Sequence, residues 1–160
     1  MKLPRVTRLD QSDVYTFERA AEAGELAVPG GFAFAGRDLP SLEGKQQLAF
    51  RNGWLGLDSF GHASLVEVAE VGEADFFAAV ERLARHFLEA YGAPDLGAAL
   101  PVARQELDEA SGLCGHPVNT LLSVERDITE AGEIVERFRV IQPERAQDHA
   151  PIWRIVEDPE

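Results

Sequence analysis

The sequence predicts an α+β fold, an antiparallel β-sheet with two helices, over about 74–91 and 101–113, packed on one side. Three observations point there. Short extended segments fill the first seventy residues. A period of 3.6 takes over at Glu73. Alternation with period two returns after residue 119. Strands, then helices, then strands is a segregated order, unlike the regular alternation of a parallel dinucleotide-binding sheet.

Residues 3–9 and 13–18 read as short strands, separated by the turn residues Asp10, Gln11, Ser12 and Asp13. After a loop at 20–24, residues 26–28 and 32–35 read as extended, divided by Pro29, Gly30 and Gly31. As a strand, the second would put Phe32 and Phe34 on one face. Residues 37–44 are a polar connection. In the next strand, 46–57, Leu48, Phe50, Asn52 and Trp54 share one parity, and Gly53 marks a bulge. A turn at 58–61 leads to a strand over 63–71, paired antiparallel with the one before.

The stripe Phe76, Phe77, Val80, Leu83, Ala84, Phe87, Leu88 and Tyr91 makes the helix over 74–91 the clearest element. Glu73 and Asp75 suit its positive end, and Gly92 and Pro94 stop it. Asp95 can cap a second helical region. Pro101 divides that region, so a turn over 95–100 and a helix over 101–113 are expected. Ala103, Leu107, Ala110 and Cys114 give this helix a thin apolar stripe, which places it at the surface of the fold. Strands over 119–128 and 133–142 close as a hairpin around the turn at 129–132. Leu122, Val124 and Ile128 face one way, and Phe138 and Val140 oppose Arg137 and Arg139. Residues 1–142 are expected to form one domain. In the C-terminal segment, 143–160, Ile152, Trp153, Ile155 and Val156 either dock as a last strand or form a tail that orders on a partner.

An apolar fraction of 45% against 27% charged is that of a chain able to bury a core. A single cysteine, Cys114, excludes an intrachain disulfide and favours a reducing cytoplasm. The basic N-terminus has no apolar stretch behind it, so no secretory signal is expected, and no run is long enough to span a membrane. The net charge is −13, and it is uneven. Residues 1–60 carry 7 basic and 8 acidic side chains, and residues 61–160 carry 8 and 20. That balance argues against nucleic acid and anionic membranes as partners, and permits a basic protein partner.

Four residues stand out as candidate ligand contacts: Asn52, Trp54, His62 and His116. Asn52 falls on an apolar parity, so it either anchors a ligand or bonds the backbone near Gly53. With Phe32, Phe34 and Trp54 it can line an aromatic pocket, although a plain core explains the same residues. Ser59 and His62 lie close in sequence, but no nucleophile elbow surrounds them. Cys114 and His116 are two potential zinc ligands where a structural site takes four. Burial of Cys114 at the end of a helix stripe is the simpler reading. No catalytic residue, metal ligand or cofactor is assigned.

Three stretches, Phe50-Arg51-Asn52-Gly53-Trp54-Leu55-Gly56, Tyr91-Gly92-Ala93-Pro94-Asp95-Leu96 and Leu113-Cys114-Gly115-His116-Pro117, resemble an uncharacterised family of small bacterial proteins over roughly residues 1–142. The resemblance implies a bacterial origin and transfers no activity and no site residue. The function expected from the residues is therefore a non-enzymatic, acidic accessory or protein-interaction domain that pairs with a protein partner or with itself as a homo-oligomer. The alternative is a small-molecule-binding protein or enzyme using the aromatic pocket.

Overall fold

In the computed structural model, residues 1–143 and 153–157 are described. The elements run β1 (Lys2–Val6), α1 (Ser12–Thr16), β2 (Ala27–Val28), α2 (Gly44–Asn52), β3 (Trp54–Gly56), β4 (His62–Ala63), β5 (Val66–Glu70), α3 (Glu73–Ala90), α4 (Leu96–Gly112), β6 (Leu121–Ile128), β7 (Ile134–Pro143) and β8 (Trp153–Glu157). Short 3-10 turns occupy Gly31–Phe34 and Leu39–Ser41. The fold is α+β, as the segregated pattern predicts, and its strands form two antiparallel sheets. One has the order β1-β5-β6-β7-β8 and the other β2-β3-β4. Among the described residues, no helix is long and apolar enough to cross a membrane.

Alternating residues build the β6–β7 hairpin, with Leu122 opposite Val140, Val124 opposite Phe138 and Arg126 opposite Glu136. Gly132 supplies the positive φ of 82° that its turn requires. Beyond β7, β8 pairs antiparallel, with Val140 opposite Val156 and Ile141 opposite Ile155. Ile152 lies outside the described residues.

Among the described residues, three apolar clusters make the core. The largest packs Phe76, Val80, Leu83 and Phe87 of α3 against Ala99, Ala103, Leu107 and Ala110 of α4, over Leu3, Val28 and Leu55. A second sets Trp54 and Ala63 against Val66, Val68, Leu122 and Val124. A third holds Phe17, Phe34, Leu42, Ala49 and Phe50.

Several elements depart from expectation. Residues 12–16 are helical, not a strand. The Asp10 carboxylate takes the Ser12 N–H at 2.8 Å, and the Thr16 hydroxyl donates to the Ser12 carbonyl at 2.8 Å, so local side chains close the turn. Residues 31–34 are a 3-10 turn, entered through Gly30 at φ 80°. At three residues per turn, Phe32 and Phe34 point to different sides. Residues 44–52 are helix α2, and Gly53 is its C-cap and not a bulge.

The strand expected over 63–71 is two strands. β4 pairs with β3, and β5 crosses to the larger sheet. At the crossover the Ser64 hydroxyl donates to buried Asp13 at 2.6 Å. Finally, α4 starts at Leu96, because Asp95 accepts the Ala98 N–H at 2.7 Å. Such a cap is worth about 1 kcal/mol, and with buried Ala99 and Ala103 it carries the helix through Pro101. The alanines on this stripe are buried against α3, so α4 belongs to the core, contrary to the surface position expected.

Candidate functional site

Strand parity places residue 126 on the same face as Leu122 and Val124, so the β6 alternation drives an arginine into the interior. The Arg126 side chain is 0% exposed. Its Nε donates to Glu136 Oε2 at 2.7 Å, across the hairpin. Its Nη1 donates to the carbonyls of Phe50 and Gly53, each at 2.9 Å, and its Nη2 donates to the carbonyl of Pro29. One guanidinium thus fastens the large sheet to the end of α2 and to the segment leaving β2. The last carbonyls of a helix lack intrahelical partners and carry partial negative charge, so a buried cation suits them. Burial pulls the Arg126 pKa below its ordinary value, and the hydrogen bond and charge of Glu136 oppose that pull.

The backbone must come close for this to work. A Cβ at Gly53 would lie 2.7 Å from the Ala49 carbonyl oxygen and 2.9 Å from His62 Cδ2. A Cβ at Gly31 would lie 2.8 Å from Glu136 Oε2.

His62 stands beside this arrangement. Its backbone is fixed on both sides, the N–H donating to Arg19 and the carbonyl accepting from Ala21, each at 2.8 Å. Its ring lies 5.9 Å from that of Phe17 and 6.0 Å from that of Phe34. Burial, with a smaller contribution from the Arg126 charge, pulls the pKa down to about 4, so the ring is neutral at pH 7. Nε2 is buried and has no hydrogen-bond partner among the described residues. His62 lines a cleft of about 120 Å³ with Glu18, Phe34, Arg37, Lys45, Gln46 and Ala49. Arg37 reaches Gln46 Oε1 at 3.1 Å and lies 5.8 Å from the Phe34 ring centroid. Among the described residues, neither Arg37 nor Lys45 is within ion-pair distance of a carboxylate. By contrast Arg5, Arg82, Arg85 and Arg104 are held by Glu67, Asp58, Glu81 and Asp108.

Two other hollows are lined in part by carboxylates already engaged. In one of about 210 Å³, Asp13 is held by Ser64. In the other, of about 340 Å³, Glu25 accepts the Asp58 and Ser59 N–H groups at 3.0 Å each and clamps that loop.

The structure does not gather the four candidate residues. Asn52 donates from Nδ2 to the Val124 carbonyl at 3.2 Å, tying α2 to β6. Trp54 is fully buried against Phe138, with Nε1 unpartnered. His116 lies in the α4–β6 connection, where its carbonyl accepts from Lys2 Nζ at 2.7 Å. The expected aromatic pocket is dispersed as well. Phe32 packs edge-on against Phe87 and Tyr91, Phe34 against Phe50, and Trp54 in the second cluster. Only Phe34 and His62 meet at the cleft. The thiol of Cys114 is buried, which pushes its pKa up to about 12. Among the described residues, no group of three or more His, Cys, Asp or Glu side chains is placed to hold a metal ion.

Sequence reasoning passed over Arg126, although its parity on an apolar strand face was a usable signal. It also passed over Arg37 and Lys45, for which no pattern existed.

An α+β domain with a polar tether at its centre and a small cleft rimmed by Arg37 and Lys45 is the class these features define. The family of unknown function DUF6505 matches residues 1–155, and the chain belongs to it. No curated protein and no solved structure matches the chain.

Proposed function

We propose that the chain is a non-enzymatic binding domain whose working site is the His62 cleft. The observation that carries this reading is a neutral imidazole in the lining of a cleft whose rim carries two cations, Arg37 and Lys45, that have no carboxylate partner among the described residues. Cys114 and His62 are poorly poised for covalent or acid–base chemistry. Cys114 stays protonated at neutral pH, and His62 holds its proton too weakly to deliver one there. A lone buried thiol suits a reducing cytoplasm, where we place the protein.

Native mass spectrometry of protein purified from its own host tests the reading. A retained small molecule is expected, absent from a His62→Leu variant with an unchanged circular dichroism spectrum. No retained species, together with no polar fragment shifting the resonances of Phe34, Gln46 or His62, rejects it.

Self-association is a second reading, favoured by the exposure of three large apolar side chains around α1, Leu9 at 50%, Val14 at 47% and Tyr15 at 76%. Copies carrying a charge of −13 repel one another, so such a dimer strengthens with added salt. Sedimentation at rising salt reads this out. A strict monomer at every concentration, or a dimer unaffected by Tyr15→Ser, removes the α1 interface.

A further inference from the structure

We infer that the His62 cleft takes a small carboxylate, a monoanion of a few heavy atoms, in preference to a neutral molecule or a phosphate. The inference rests on the cleft being a binding site and specifies what it selects. Arg37 and Lys45 bring two positive charges to the rim, and Glu18 brings one negative charge. Net, the lining offers a single positive charge, which a carboxylate matches. A phosphate monoester, at −1.5 to −2 near pH 7, leaves charge unpaired beside Glu18.

Placement supports the assignment. Arg37 is pre-positioned by Gln46 and by the Phe34 face beneath it. A guanidinium so held presents its remaining N–H fork to a planar carboxylate at reduced entropic cost. Lys45, at an exposed position, has no carboxylate partner among the described residues and supplies a second positive charge. The His62 ring, uncharged at neutral pH, adds no charge to this balance. The overall negative charge of the chain does not forbid an anion here. Screening over roughly 8 Å at physiological salt leaves the rim cations to set the local field. A cleft of about 120 Å³ has room for a molecule of a few heavy atoms. Phe34 and Ala49 supply apolar wall for a short alkyl chain.

The test uses the full chain, labelled with nitrogen-15, titrated at pH 7 and constant ionic strength with sodium propionate, propionamide and inorganic phosphate. Propionate is expected to shift Phe34, Gln46 and His62 saturably, at least tenfold more tightly than propionamide or phosphate. Arg37→Gln and Lys45→Gln are both at exposed positions and should leave the fold intact. Each is expected to weaken propionate five- to tenfold and leave propionamide unchanged. Propionamide binding the cleft as tightly as propionate overturns the carboxylate assignment while the binding-site reading stands, as does phosphate binding more tightly. Shifts that track the two variants by less than twofold also overturn it. If no probe shifts the cleft residues, both the assignment and the binding-site reading fall.

Discussion

The α3–α4 pair and the α2 region are held together by different physics. Between α3 and α4 the contact is mainly apolar, with Phe76, Val80, Leu83 and Phe87 meeting a row of small alanines and Leu107, and Arg104 laid over the Phe76 and Phe77 rings at its edge. Its energy is spread over many methyl and ring contacts, and no single atom is decisive. In α2 only Ala49 and Phe50 are buried, out of nine residues. That helix depends on a guanidinium projecting from a strand more than seventy residues later, on Asn52 reaching Val124, and on Gly53, whose missing side chain lets the backbone approach. A distributed apolar contact loses stability in proportion to the volume removed. A polar tether fails as a unit, because deleting one partner leaves the others buried without partners.

The largest expected effect follows from that difference. Arg126→Ala leaves the carbonyls of Pro29, Phe50 and Gly53 and the Glu136 carboxylate without their donor. It should cost about 3–5 kcal/mol in urea denaturation. A loss under 1 kcal/mol would show that water replaces the guanidinium without penalty.

In the helix pair, Leu83→Ala should cost about 3 kcal/mol, close to the ordinary cost of a buried leucine truncation. Its effect should add to that of a distant α2 mutation within about 0.5 kcal/mol. Strong coupling between the two would mean the regions are not energetically separate.

Acid should act on the α2 side through His62. Its folded-state pKa of about 4 lies below the unfolded value near 6.5, so between these limits the unfolded chain binds the proton that the native ring refuses. This contribution is complete above pH 6.5 and is lost as the pH falls to about 4. It amounts to about 3 kcal/mol at most. Amide exchange at pH 5 should show α2 and β4 losing protection before α3 does. The reverse order would place the acid-sensitive group elsewhere.

The smallest effect belongs to the helix pair. Burial, and then the charges of Glu109 and Glu136, push the Glu106 carboxyl up to about 7. The native state therefore favours the protonated form, and stability falls as the pH rises from about 4.5 to 7. Glu106→Gln should raise the thermal midpoint modestly at pH 8 and leave it unchanged at pH 5. A gain at both values would point to packing in place of charge.

The same contrast decides what the sequence reveals. α3 carries its own reason to exist in a 3.6-residue stripe, and the β6–β7 hairpin carries its own in alternation, so both are legible. α2 is mostly polar. Leu48, Phe50, Asn52 and Trp54 mimic a strand only because a helix, a glycine cap and a strand happen to place them at even spacing. Phe32 and Phe34 mislead in the same way, since two residues apart means one face in a strand and opposite sides in a 3-10 turn. The cleft is less legible still. His62 drew notice only through its closeness to Ser59. Its cationic neighbours come from a stretch that reads as a polar connection and from the first turn of the helix that reads as a strand. Arg126, though passed over, left a usable signal, because a charge on an apolar parity is visible in the sequence and asks for a polar partner, which Glu136 provides across the hairpin.

The most direct measurement is native-state hydrogen exchange on Arg126→Lys, which keeps the charge and loses the fork that serves several acceptors at once. Amides of α2 and β3 are expected to exchange at least a hundredfold faster, while those of α3 and α4 keep their relative protection. Uniform acceleration across the chain, or none in α2, would contradict the tether.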